Sequence, residues 1–142
     1  MKKILIAIVA LLCCGYSADA QIKVNKKSET KEVFSSRMGF VTIKVMEGNY
    51  FLALPSSNQY DDYYIMHLGQ SNEDALESVE ALLEMAQTIK KGESYAVETL
   101  TKTFTITKGI GKSIDISAKG YAGYASTSAT ELKGMIDALR KQ

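Results

Sequence analysis

The side chains best suited to hold a ligand are crowded into one stretch, Asn58-Gln59-Tyr60-Asp61-Asp62-Tyr63-Tyr64. Adjacent carboxylates offer oxygen to a hard cation such as Ca²⁺, and tyrosine rings stack on a sugar while their hydroxyls hydrogen-bond to it. Tyr60, Asp61, Asp62, Tyr63 and Tyr64 are therefore the candidate ligand-binding residues. The Ca²⁺-loop spacing, with its central glycine and distant glutamate, is absent, so no metal is assigned to them. A polar turn leading into a strand accounts for the same residues without a ligand.

Catalytic chemistry finds little to work with. His67 is the only histidine, which excludes a histidine cluster for zinc and a two-histidine relay. A Ser-His-Asp set lacks the Gly-x-Ser-x-Gly elbow that would present its nucleophile. Carboxylate pairs for glycoside hydrolysis can be drawn among Asp61, Asp62 and Asp115, but separation in space decides that chemistry. No catalytic residue, metal ligand or cofactor is assigned. A small hydrolase or lyase using Asp61, Asp62 and His67 is retained as the alternative to a non-enzymatic domain.

Three further patterns have ordinary explanations. Thr99, Thr101, Thr103, Thr105 and Thr107 occupy every second position. Such a row can face ice or a polar ligand, yet threonine is also favoured on any solvated strand, and a single row is visible. Gly109-Ile110-Gly111-Lys112 lacks the upstream glycine of a phosphate loop and falls between strands, so it reads as a hairpin turn. Tyr121 and Tyr124, beside Gly120 and Gly123, could form an aromatic platform, but packing beneath the last helix uses them equally well.

The elements that must position these residues follow from periodicity. Val41, Ile43 and Val45 alternate with Thr42 and Lys44, the two-residue period of a half-buried strand. Glu47-Gly48-Asn49 then turns the chain into Tyr50-Phe51-Leu52-Ala53-Leu54, a hairpin closed by Pro55 to Asn58. A third strand is expected from Tyr63 to Gly69. Ser71, Glu73 and Asp74 then supply the cap and early acids of a helix whose stripe is Ala75, Leu76, Val79, Leu82, Leu83, Ala86 and Ile89. The second half runs in the same order: one or two strands over Tyr95 to Thr107, another over Lys112 to Ala118, a third over Tyr121 to Ser126. A helix then opens on the capping box of Ser128 and Glu131 and buries Leu132, Met135, Ile136 and Leu139.

The fold class expected is α+β: an antiparallel sheet of about six strands with two helices packed on one face, in the order strands, helix, strands, helix. The open face would display Thr42, Lys44, Ser113, Asp115 and Ser117. In outline this two-part order resembles the TATA-binding-protein or whirly-type arrangement. The resemblance is one of element order, implies a curved sheet, and implies no activity.

The address is written in residues 1–20. Lys2 and Lys3 precede an apolar run from Ile4 to Cys14, and Ala18-Asp19-Ala20 supplies a small-residue cleavage site, the layout of a secretory signal peptide. The run is about 11 residues, far short of the ~20 that cross a bilayer, so removal is expected and no transmembrane segment remains. Cys13 and Cys14 are the only cysteines and leave with the leader. Acylation of either as a lipoprotein is disfavoured by bulky Leu11 and Leu12, where small residues are wanted. The protein is thus expected to be exported, periplasmic or secreted.

Of 142 residues, the leader takes 20 and leaves 122, enough for one domain with its own core. Residues 21–38, with Lys23, Lys26, Lys27, Lys31 and Arg37, read as a flexible basic arm, and 39–142 as a single α+β domain. The 17 basic and 16 acidic residues fall to 15 of each once Lys2, Lys3 and Asp19 are removed, so a nucleic-acid partner is not expected and a single-strand binder ranks last. The expected function is an exported non-enzymatic binding domain for a protein or glycan. An unpaired sheet edge offers a route to homo-oligomers.

Overall fold

The computed structural model describes residues 29–58 and 63–142. The expected leader with Cys13 and Cys14, the expected arm up to residue 28, and Tyr60, Asp61 and Asp62 lie outside the described residues. These residues form two four-stranded antiparallel sheets and two α-helices. The first sheet holds β1 (Thr30–Ser36), β2 (Val41–Met46), β3 (Asn49–Pro55) and β4 (Tyr63–Gly69) in that spatial order, and α1 (Asn72–Thr88) follows. The second holds β5 (Ser94–Glu98), β6 (Thr103–Lys108), β7 (Ser113–Ala118) and β8 (Ala125–Ser128), and α2 (Ala129–Leu139) closes it.

The α+β class is therefore as expected, while a single sheet of about six strands is corrected to eight strands in two sheets. Two strands account for the difference in number. Thr30-Lys31-Glu32 carries the charge of a solvated arm, and a register shift between Glu32 and Phe34 interrupts the alternation that marks a strand. The segment nevertheless pairs with β2 from Thr30 opposite Met46 to Ser36 opposite Val41. Phe34 packs on α2: a Cβ on Gly134 would stand 3.2 Å from its Cε2, a tight contact that glycine relieves. In the second half, the turn between β5 and β6 splits Tyr95 to Thr107 into two strands. Thr99 Oγ1 closes that turn, donating to the Lys102 carbonyl at 2.8 Å and accepting from the Lys102 amide at 3.2 Å.

Both helices start where their caps predict. Ser71 Oγ accepts the Asp74 amide at 3.1 Å, and Ser128 Oγ and the Glu131 carboxylate satisfy each other's backbone donors at 3.3 Å. The helices pack against each other, α1 also reaching β4 and β7, α2 reaching β1 and β8. One core results, with Val41, Ile43, Leu52 and Leu54 from the first sheet, Phe104, Ile106, Ile114 and Ile116 from the second, and the stripes of both helices between them.

The β2–β3 turn has two residues, Glu47 at φ 51° and Gly48 at φ 79°, closed by Met46 opposite Asn49. Two left-handed residues in a row make the type I′ turn, whose twist suits the hairpin. Glycine holds that conformation freely and glutamate does not. Glu47→Asn is expected to raise stability by about 0.5–1 kcal/mol, read as a higher denaturation midpoint at unchanged slope.

The two sheets also meet at a corner. Ser57 donates its amide to the Tyr124 carbonyl at 2.7 Å and its Oγ accepts the Tyr124 amide at 3.0 Å, beside a bridge between Ser56 and Ala125. Opposite them, Tyr64 stacks on Tyr121 with ring centroids 4.7 Å apart, and Lys102 Nζ stands 3.9 Å above the Tyr121 ring.

Candidate functional site

The sequence-predicted ligand stretch divides sharply at the start of β4. Tyr63 is exposed, whereas Tyr64 is 1% exposed and its hydroxyl donates to the Gly123 carbonyl at 2.7 Å. The alternation of a strand sends these neighbours to opposite faces. Tyr64 thus belongs to the corner where the two sheets meet, and Tyr63 to the outer surface of the first sheet.

His67 shares that outer surface but is buried there. Its Nε2 is 3.1 Å from Asn49 Oδ1, and its ring meets Phe51 edge-on at 5.2 Å between centroids. Asp115 lies on the other sheet, between Thr107 and Ser126 in cross-strand register. No group of three or more His, Cys, Asp or Glu side chains set to hold a metal occurs among the described residues. Nor is any helix among them long and apolar enough to cross a membrane.

The two outer sheet faces differ in character. On the first sheet, Met46, Tyr63 and Ile65 are exposed, with Phe51 half-buried among them. The second sheet presents hydroxyls: Thr103 and Thr105 are exposed, with Ser113, Ser117 and Ser126 half-buried beside them. The threonine row does not run unbroken along one strand, because Thr99 and Thr101 lie in the β5–β6 turn. Across the sheet Thr105 faces Ala96 and Ser117, so its neighbours do not repeat threonine. The glycine-lysine stretch is a hairpin turn as read, with the Gly109 amide donating to the Ser113 carbonyl at 3.0 Å.

One concave surface was not visible in the sequence. A groove of about 700 Å³ runs between β4, α1 and the β5–β6 turn. Its apolar lining comes from Met66 and Leu68 of β4, Leu82 and Met85 of α1, and Val97 and Leu100 of the far wall. Carboxylates of Asp74, Glu77 and Glu98 stand around it, and among the described residues no lysine or arginine lines it. Both strands that flank it, β4 and β5, are edge strands of their sheets. Leu100 is 73% exposed at its mouth.

Comparison of the chain with protein-family models, with curated proteins and with solved structures gives no match. The site therefore stands on its own geometry. Volumes of roughly 300–1,000 Å³ with an apolar lining and a few polar groups are those in which proteins hold ligands. The arrangement can bind a ligand. The one sequence signal that could have found it is the acid concentrated on the first helix, with Glu77 on the groove side.

Proposed function

We propose that this chain is an exported, non-enzymatic binding domain whose partner is a polypeptide, received in the groove between β4, α1 and the β5–β6 turn. The observation that carries the reading is a groove with an apolar floor flanked by two edge strands. An edge strand offers backbone donors and acceptors that another chain can complete. A leader-like N-terminus supports the exported address. The alternative of a hydrolase or lyase built on Asp61, Asp62 and His67 draws no support from His67, whose imidazole is engaged by Asn49 and packed by Phe51.

Ala81 is an exposed helix residue that lines the groove, and arginine matches alanine closely in helix preference, so Ala81→Arg fills the space without disturbing α1. Peptides selected from a random display library on the intact chain are expected to lose binding to Ala81→Arg while the melting temperature is kept. Selected peptides that bind both proteins equally would place the interaction elsewhere and overturn the proposal, as would a library that yields no binder.

A further inference from the structure

The lining of the groove narrows the chemistry of what it takes. We infer that it receives an extended segment in which apolar residues alternate with lysine or arginine, added along the free edge of β4. The inference rests on the groove being the binding surface.

The edge itself is the first reason. β4 is seven residues long and reads Tyr-Tyr-Ile-Met-His-Leu-Gly, with no formal charge when its histidine is neutral. Edges are ordinarily blunted by charge, bulges or brevity, and the other three are. β1 carries Lys31 and Glu32 with a register shift, β5 is five residues ending in Glu98, and β8 is four residues. Helix α1 covers one end of the β4 edge, where Ser78 Oγ donates to the Leu68 carbonyl at 2.6 Å. Met66, two residues before, remains on the groove lining where an added strand would run.

The second reason is the pairing of floor with rim. Successive side chains of an added strand point to opposite sides. One set would lie on the half-buried Met85 and Val97 and the exposed Leu100, and the other would reach the rim carboxylates. Asp74 is partly committed, accepting the Gln70 amide at 3.3 Å, but Glu77 and Glu98 are exposed and form no ion pair with a described residue. Two uncompensated carboxylates beside an apolar floor favour a cationic partner and repel an acidic one. A second copy of β4 brings no lysine or arginine, so self-pairing along this edge lacks the complementarity.

The test uses the intact chain and fluorescein-labelled peptides read by anisotropy. One peptide alternates valine with lysine, the second valine with threonine, the third valine with glutamate. A fourth is the lysine peptide methylated on alternate backbone nitrogens, which removes the donors a strand needs. The lysine peptide is expected to bind saturably and to weaken about tenfold in the double variant Glu77→Gln, Glu98→Gln, with the same loss at high salt. The glutamate and N-methylated peptides are expected not to bind. If the threonine peptide binds as tightly as the lysine peptide, and Ala81→Arg abolishes both, the charge inference fails while the groove reading stands. Equal binding of the N-methylated peptide overturns strand addition. If no peptide binds, or none responds to Ala81→Arg, the inference and the reading beneath it both fall. Glu77, Glu98 and Ala81 are exposed, so an unchanged melting temperature separates lost binding from lost folding.

Discussion

Tyr64→Ala is expected to cost about 4 kcal/mol of stability, the loss typical of emptying a fully buried aromatic site. The ring is 1% exposed, stacks on Tyr121, and carries a hydroxyl that donates to Gly123. Removing it opens a cavity at the corner where the two sheets meet and strips Tyr121 of its stacking partner. Tyr64→Phe keeps the ring and leaves the Gly123 carbonyl without that donor, so it should cost about 1 kcal/mol. Tyr63→Ala next door, on an exposed side chain, is expected to stay within about 0.5 kcal/mol. Urea unfolding of the three variants checks this ordering. A Tyr64→Ala protein as stable as the parent would mean that the corner contributes nothing. The comparison also separates roles within the tyrosine-rich stretch, since a residue kept for a ligand would not show this pattern.

Glu131→Ala is expected to destabilise by about 2–3 kcal/mol, because one carboxylate serves four neighbours, one of them Ser36, whose Oγ donates to it at 3.3 Å. It closes the capping box of α2, accepts Thr127 Oγ1 at 3.2 Å, and takes Arg37 in a two-pronged pair with both N···O distances 2.6 Å. The glutamate side chain is 14% exposed and the arginine 42%, so the pair is only partly desolvated and falls short of the 3–5 kcal/mol of a buried one. Arg37 also donates to the Ser126 carbonyl at 3.2 Å, which ties the β1–β2 turn to β8. Arg37 and Met38 hold positive φ of 49° and 59°, a conformation that costs both residues and is held here by the clamp. A double-mutant cycle of Arg37→Ala with Glu131→Ala should give a coupling of about 1–2 kcal/mol. Additive effects would show that the pair is incidental and that the cap carries the whole loss.

What could be read from the sequence was what is local. Both helices followed from spacing and caps, since Ser71 with Asp74 and Ser128 with Glu131 are three residues apart and need no knowledge of the rest. Strands β2 and β7 followed from alternation, although Thr42 of β2, expected on the open face, is buried at 4% exposure. Strand β1 was hidden, as its first residues are charged and its register shifts between Glu32 and Phe34, which breaks the pattern where it would be sought. Its contact at Gly134 lies about a hundred positions along the chain. The same distance hid the role of Glu131, whose partner Arg37 is 94 residues away. The groove was invisible for the plainest reason: its two walls, β4 and β5, are separated by a helix of 17 residues and meet only once that helix has packed. Tyr63 and Tyr64, alike in composition, are separated in role by strand alternation alone.

The groove is assembled from two kinds of residue, and their futures differ. Met66, Leu68 and Leu82 belong at once to its floor and to the core, so any exchange that reshapes the floor is also a change in the folding equilibrium. Glu77 and Glu98 stand on its rim, exposed and unpaired with any described residue, and can be replaced at almost no cost to the fold. A lineage descended from this chain would therefore be free to alter the charge of what it recognises within a few substitutions. The shape of what it recognises would be far slower to drift.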